Sequence, residues 1–165
     1  MRPQIPTLSQ IDELPTLLRT RIPSEWQDSN GHLNIRYYMR LYDEVGVPLF
    51  ETFGIDAQRT KQSRWGLFDL EHPLWYLREI HVGDEVTLHC RLLDRTVKRF
   101  HGTLLLVNRT RGQLASAMEF LSTCADLDAR ATAALPSDVA ARIDVLIERH
   151  RKLTWPVPVS GVMAP

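Results

Sequence analysis

The sequence predicts an α+β domain: a long early helix packed on a curved antiparallel sheet, with a second helix near the C-terminus. Three observations carry this. Apolar side chains recur at helical spacing from Ile35 to Leu49, the period changes to alternation from about Ser63, and helical spacing returns after Ser137.

Taken in order, residues 1–16 open with MRPQIPTLSQID, which is polar and punctuated by proline, and read as a flexible arm. Residues 17–152 read as a single domain. Residues 17–26 suit a strand interrupted at Pro23, and the DSNGHLN that follows is a turn cluster. Asn34 is placed to cap a helix that carries Ile35, Tyr38, Met39, Tyr42, Val45 and Leu49 on one stripe. Pro48 breaks or kinks that helix, a short turn continues through Phe53, and Gly54 ends the segment. Residues 64–70 and 75–82 read as strand pieces around a break at Pro73. Gly83-Asp84 then turns the chain into Val86, Leu88, Cys90 and Leu92, which alternate with polar neighbours as a half-buried strand. Residues 97–107 and 114–124 are two further strands joined at Arg111-Gly112, and this regular spacing predicts a meander. Ser137 is placed to cap the last helix, with Val139, Ile143, Leu146 and Ile147 on one face. Residues 153–165 carry three prolines and read as an extended tail, either laid over a neighbouring subunit or disordered in solvent.

Composition narrows the function. A length of 165 residues with 44% hydrophobic side chains fits one domain with a substantial core. Twenty basic residues balance twenty acidic ones, so the global charge excess of a nucleic-acid or anionic-membrane binder is missing. The apolar runs fall well short of the ~20 residues of a membrane span, and the first 20 residues hold no signal-peptide core. The expectation is a cytoplasmic protein with neither nucleic-acid nor membrane partners. Cys90 and Cys124 read as buried free thiols rather than a disulfide framework. A helix on a curved sheet leaves sheet edges poorly covered, which predicts self-association.

The chemistry concentrates in WQDSNGHLNIRYYMRLYDE, residues 26–44. Asp28 sits in a turn just before a helix start, where unpaired backbone N–H groups and a partial positive charge can hold an oxyanion. A carboxylate there can attack a carbonyl or take a proton from an attacking water. The same residues also suit an ordinary turn and cap, because Asp and Asn are common before helices.

DSNGHLN followed by a tyrosine-bearing helix resembles the hotdog-fold acyl-CoA thioesterases, the 4-hydroxybenzoyl-CoA thioesterase class. The phrases YLREIHVGDEV, VKRFH, GQLASAMEF and ALPSDV extend the resemblance over roughly residues 20–150, closest in look to the thioesterases of carnitine and betaine catabolism. It implies a long helix wrapped by a curved sheet, assembled as a homodimer or a dimer of dimers. It also implies hydrolysis of an acyl-CoA thioester with no separate cofactor, since coenzyme A is part of the substrate. Residue by residue, it makes Asp28 the nucleophile or general base and the Ile35 N–H the oxyanion donor. Asn34 shapes the cap, Gly31 permits close backbone approach, and His32 holds either a catalytic or a structural turn position. Glu44 is a further candidate for polarising water, or else an interface residue.

Coenzyme A carries phosphates, and Lys98, Arg99 and His101 form the basic cluster expected to meet them, ahead of clusters at Arg109/Arg111 and Arg149/Arg151/Lys152. A trimethylammonium acyl group of the betainyl type would need an aromatic cage. Trp26, Trp65, Trp75, Tyr37, Tyr38 and Tyr76 are available for one, with Glu44 or Asp69 adding charge, though aromatics in a small α+β domain serve core packing far more often than cage walls. Two other functions compete: a hotdog enoyl-CoA hydratase/dehydratase and a non-catalytic acyl-CoA-binding domain. The hydratase pattern wants histidine five residues after the aspartate, and here His32 comes four after Asp28. The histidines at 72, 81, 89, 101 and 150 show no metal-ligand spacing, so no metal site is expected.

Overall fold

The structure, a computed structural model, describes residues 4–165; residues 1–3 of the expected arm lie outside the described residues. In chain order the elements are α1 (Leu8–Ile11), β1 (Leu18–Arg21), a 3-10 turn at Ser24–Trp26, α2 (Ile35–Glu44), α3 (Gly46–Thr52), α4 (Ala57–Gln62), β2 (Trp65–Glu71), β3 (Leu74–Tyr76), β4 (Glu85–Arg95), β5 (Arg99–Asn108), β6 (Gln113–Asp126), β7 (Ala131–Thr132) and α5 (Ser137–Arg151). The strands form one antiparallel sheet in the order β1-β4-β5-β6-β2, with β3 and β7 also pairing with β6. This is the hotdog arrangement of helix and curled sheet.

The early helix is two helices. The ring of Pro48 would clash with the carbonyl four residues back, and that residue is Glu44, where α2 stops. The break therefore falls just ahead of the proline, and α3 restarts at Gly46. Tyr38, Leu41, Tyr42, Val45 and Leu49 face the inner core with Leu88, Cys90, Leu92, Phe100 and Leu104 from the sheet. Met39 and Ile35, on the predicted stripe, are exposed instead. The sequence reading also missed α4, a short helix capped by the Asp56 carboxylate on the Arg59 N–H at 2.7 Å. Ser137 is the first residue of α5 and makes no side-chain cap bond.

β4, predicted as half-buried, is buried on both faces. Its polar positions Thr87, His89 and Arg91 lie beneath the chain's two ends. From the segment expected as a flexible arm, Ile11 and Leu14 pack against Leu105, Val107 and Ala117. The Leu14 carbonyl accepts from His89 Nδ1 at 3.2 Å, because Nε2 faces the Arg109 guanidinium at 2.9 Å and must accept. The tail lies on its own sheet. Arg91 donates to the Trp155 and Leu153 carbonyls, both at 2.6 Å, and covers the Trp155 ring. Among the described residues no helix is long and apolar enough to cross a membrane.

The departure that matters most for function lies after β3. Sequence pattern extended this strand to residue 82; it ends at Tyr76, where Leu77 and Arg78 both donate to the Ala115 carbonyl. The chain then leaves β6, and the Ile80 carbonyl accepts from the Leu33 N–H at 2.7 Å. That bond brings residues 79–81 beside the turn that precedes α2.

Candidate active site

The turn from Gln27 to Leu33 is closed by its own backbone. The Asp28 N–H donates to the His32 carbonyl at 2.8 Å, and the Gly31 N–H donates to the Asp28 carbonyl at 3.2 Å. Gly31 sits at φ +85°, a left-handed conformation that costs a residue with a Cβ about 1–2 kcal/mol. Asp28 Oδ1 accepts from the Asn30 N–H at 2.8 Å and the His32 N–H at 3.1 Å. These bonds, the one from His32 foremost, hold the carboxyl below its ordinary range, so it is ionised at neutral pH. Asp28 Oδ2 has no hydrogen-bond partner among the described residues.

The turn delivers the chain into α2 through a fixed cap. The Asn34 N–H donates to the Trp26 carbonyl at 2.9 Å, and the Asn34 side chain accepts from the Arg36 N–H at 3.2 Å. That leaves the N–H of Ile35, the first helical residue, without an acceptor among the described residues. Ile35 is 65% exposed. Asp28 and Ile35 line the same open cleft of about 350 Å³, together with His32, Leu33, Tyr38, Tyr76, Leu77, Arg78 and Glu79. Tyr38 and Tyr76 meet edge to face with ring centroids 5.0 Å apart. Burial, then Tyr76, Glu79 and Asp28, push the Tyr38 hydroxyl up to about 12, so it stays a neutral donor.

The structure thus brings Asp28, His32, Ile35 and the Asn34 cap together with Gly31 at the turn. Other expected site residues lie elsewhere. Glu44 ends α2, about 13 Å along the axis from Ile35, and pairs with Arg40 at 2.8 Å outside the cleft. Lys98 and Arg99 are exposed at the β4–β5 connection and do not line the cleft. His101, expected on a basic surface, is buried against Glu119 at 2.8 Å, because its strand position points beneath the tail. Of the candidate cage aromatics only Tyr38 and Tyr76 reach the cleft. Trp26 stacks on Tyr37 at 4.7 Å under the Arg40 guanidinium, Trp65 lies under Arg59, and Trp75 packs on the outer face. Asp69 is held by Ser122 and His72 at a separate small cavity.

Sequence reasoning assigned no role to Arg78 or Glu79. The signal was present in YLREIHVGDEV, where Glu79 and His81 flank the apolar Ile80 at the spacing that puts both on one side of an extended chain. His81, dispersed from His32 in sequence, stands edge-on to it with centroids 5.3 Å apart.

Comparisons with known proteins bear on the family and the fold. The family model described as thioesterase-like superfamily matches residues 22–143. The chain is 31% identical over 153 residues to a betainyl-CoA thioesterase of Pseudomonas aeruginosa, covering 93% of this chain and 96% of that protein. It is 24% identical over 140 residues to an L-carnitine dehydrogenase/betainyl-CoA thioesterase of Rhizobium meliloti, where the match spans 28% of the longer protein. Among solved structures, a hypothetical protein of Staphylococcus aureus in complex with CoA superposes with a TM-score of 0.81 at 24% identity, covering 92% of this chain and 96% of that one. A 1,4-dihydroxy-2-naphthoyl-CoA thioesterase from Synechocystis gives a TM-score of 0.69 at 15% identity, covering 78% and 95%. At these identities the structural matches speak to fold alone.

Proposed function

From the premise that the chain belongs to the thioesterase-like superfamily, we propose that it hydrolyses an acyl-CoA thioester, with a betainyl-type acyl group, in the cleft at the start of α2. One observation carries the reading: an ionised carboxylate with an unengaged oxygen and a helix-start N–H with no acceptor line the same cleft.

The proposed chemistry follows from those groups. Asp28 Oδ2 takes a proton from a water as that water attacks the thioester carbonyl, or attacks the carbonyl itself to form a mixed anhydride that water then opens. Negative charge gathers on the carbonyl oxygen, and the Ile35 N–H with the positive end of α2 stabilises it. The coenzyme A thiol leaves, and the acid remains. His32 fixes the carboxylate through its backbone N–H, a role that its side chain does not supply. Arg78, which lines the cleft, joins Lys98 and Arg99 as a proposed contact for the phosphates of coenzyme A. His101 leaves that set because it is buried and paired.

A trimethylammonium group suits the cleft walls. The faces of Tyr38 and Tyr76 offer cation–π attraction, and Glu79 with Asp28 supplies negative charge. The betainyl-CoA thioesterase relative supports the same substrate class. Self-association is proposed on a different feature. Strand β2 is the outer strand at its end of the sheet and carries exposed Phe68 and Leu70, an edge that a second copy of the chain would cover.

A thiol-release assay over a panel of acyl-CoA thioesters tests the proposal. Betainyl-CoA should be cleaved about tenfold or more faster than its neutral isostere, on the order of the 1–2 kcal/mol available from cation–π contact. Equal rates would remove the cationic acyl group from the reading. A panel with no thiol release, but with water added to an enoyl-CoA, would replace hydrolysis by hydration.

A further inference from the structure

His32, Glu79 and His81 are remote in sequence, yet their ligand atoms lie within 4.8 Å of one another. Glu79 Oε2 stands 3.3 Å from His32 Nε2 and 3.5 Å from His81 Nε2. Around a tetrahedral zinc ion, bonds of about 2.0–2.2 Å to imidazole nitrogen and carboxylate oxygen place neighbouring donor atoms roughly 3.3–3.5 Å apart. The two separations in this structure fall in that interval. The set, two imidazoles and one carboxylate, is also one that borderline-soft divalent ions prefer.

Backbone contacts hold the three residues in place. The Leu33 N–H to Ile80 carbonyl bond, at 2.7 Å, joins the residue after His32 to the residue between Glu79 and His81. The His81 N–H donates to Asp84 Oδ2 at 2.9 Å, and Ile80 is fully buried between the two ligand positions. Solvent reaches all three side chains, so an ion can enter. We propose that His32, Glu79 and His81 form a three-ligand site for a divalent transition metal of the zinc class, set in the wall of the cleft so that its occupation blocks substrate.

Binding rests on the three side chains alone, whereas blocking rests on the cleft being the thioester site. His32 and Glu79 both line that cleft. An ion held between them places two positive charges beside Asp28 and takes up the Glu79 carboxylate that a cationic acyl group would otherwise face. Metal and substrate are then mutually exclusive.

Chelator-treated full-length protein titrated with Co²⁺ separates the two parts. Wild type should develop the intense visible bands of four-coordinate cobalt at one ion per chain, and Zn²⁺ should bleach them. His81→Phe keeps the edge-on ring against His32 but has no ligand nitrogen, and Glu79→Gln keeps the shape but loses the charge. Each should weaken binding roughly 100-fold, at least the cost of losing an outer-shell partner of a metal site. Absence of the bands in wild type, or equal affinity in wild type and both folded variants, would overturn the site. In thiol-release assays Zn²⁺ should raise the apparent KM of wild type and leave that of His81→Phe unmoved, with chelator restoring the wild-type rate. Cobalt bands accompanied by zinc-insensitive turnover would overturn the blocking and keep the site. A protein that cleaves no thioester yet shows the bands would refute the hydrolase reading without touching metal binding.

Discussion

Two of the histidine–glutamate contacts among the described residues, His101–Glu119 and His32–Glu79, have opposite surroundings. His101 and Glu119 meet at 2.8 Å with Glu119 fully buried. Both Glu119 oxygens are used: Oε1 by His101, and Oε2 by the Ser160 N–H at 2.6 Å. The pair fastens the C-terminal tail to the outer face of the sheet, helped by the Thr103 hydroxyl donating to the Pro158 carbonyl at 3.0 Å. His32 and Glu79 meet at 3.3 Å with the Glu79 side chain 64% exposed, on the wall of an open cleft. The same residue types serve architecture where the carboxylate is buried with both oxygens engaged, and remain available for ligands where it faces solvent. Asp28 belongs to the second kind of surroundings.

The sharpest way to break this comparison is to remove one carboxylate from each pair and measure chemical unfolding. Glu119→Ala strands a buried imidazole and the Ser160 N–H, and should cost about 3–5 kcal/mol, the usual penalty for breaking a buried pair. Glu79→Ala removes an exposed partner and should cost under about 1 kcal/mol. Similar losses at the two positions would show that burial does not separate them.

A slightly smaller effect sharpens the contrast through pH. His150, on the last turn of α5, is buried and accepts the Leu92 N–H on Nδ1 at 2.9 Å. Burial, and then the Arg91 charge, push it down to about 4, from 6.5 in an unfolded chain. Between those values the unfolded chain binds the extra proton, so this contribution to stability is complete above pH 6.5 and is lost as pH falls toward 4. The loss is on the order of 3 kcal/mol. Thermal unfolding followed from pH 7 to pH 4 should show this decline, and His150→Gln should flatten it. An equal slope in the variant would place the acid sensitivity elsewhere.

Much of this arrangement was legible in the sequence, because local signals and tertiary structure agree there. The Asn34 cap, the Gly31 turn and the alternating strand residues 86–92 are short-range patterns, and they appear where the pattern puts them. The end of β3 at Tyr76 was not legible, since the competing partner of Ile80 is Leu33, far away in the chain. For the same reason Glu79 and His81 could not be joined to His32 from spacing. The burial of His101 and the packing of Ile11 and Leu14 were hidden too. Both depend on the chain ends folding back over polar sheet positions, which alternation alone assigns to solvent.

The central claim is that the Asp28 carboxylate drives attack on the thioester. Asp28→Asn tests it most directly, because an asparagine Oδ1 can still accept the Asn30 and His32 N–H groups and keep the turn. Steady-state thiol release by the folded variant should show kcat lower by about 100-fold or more. A kcat equal to that of the wild type would contradict the account.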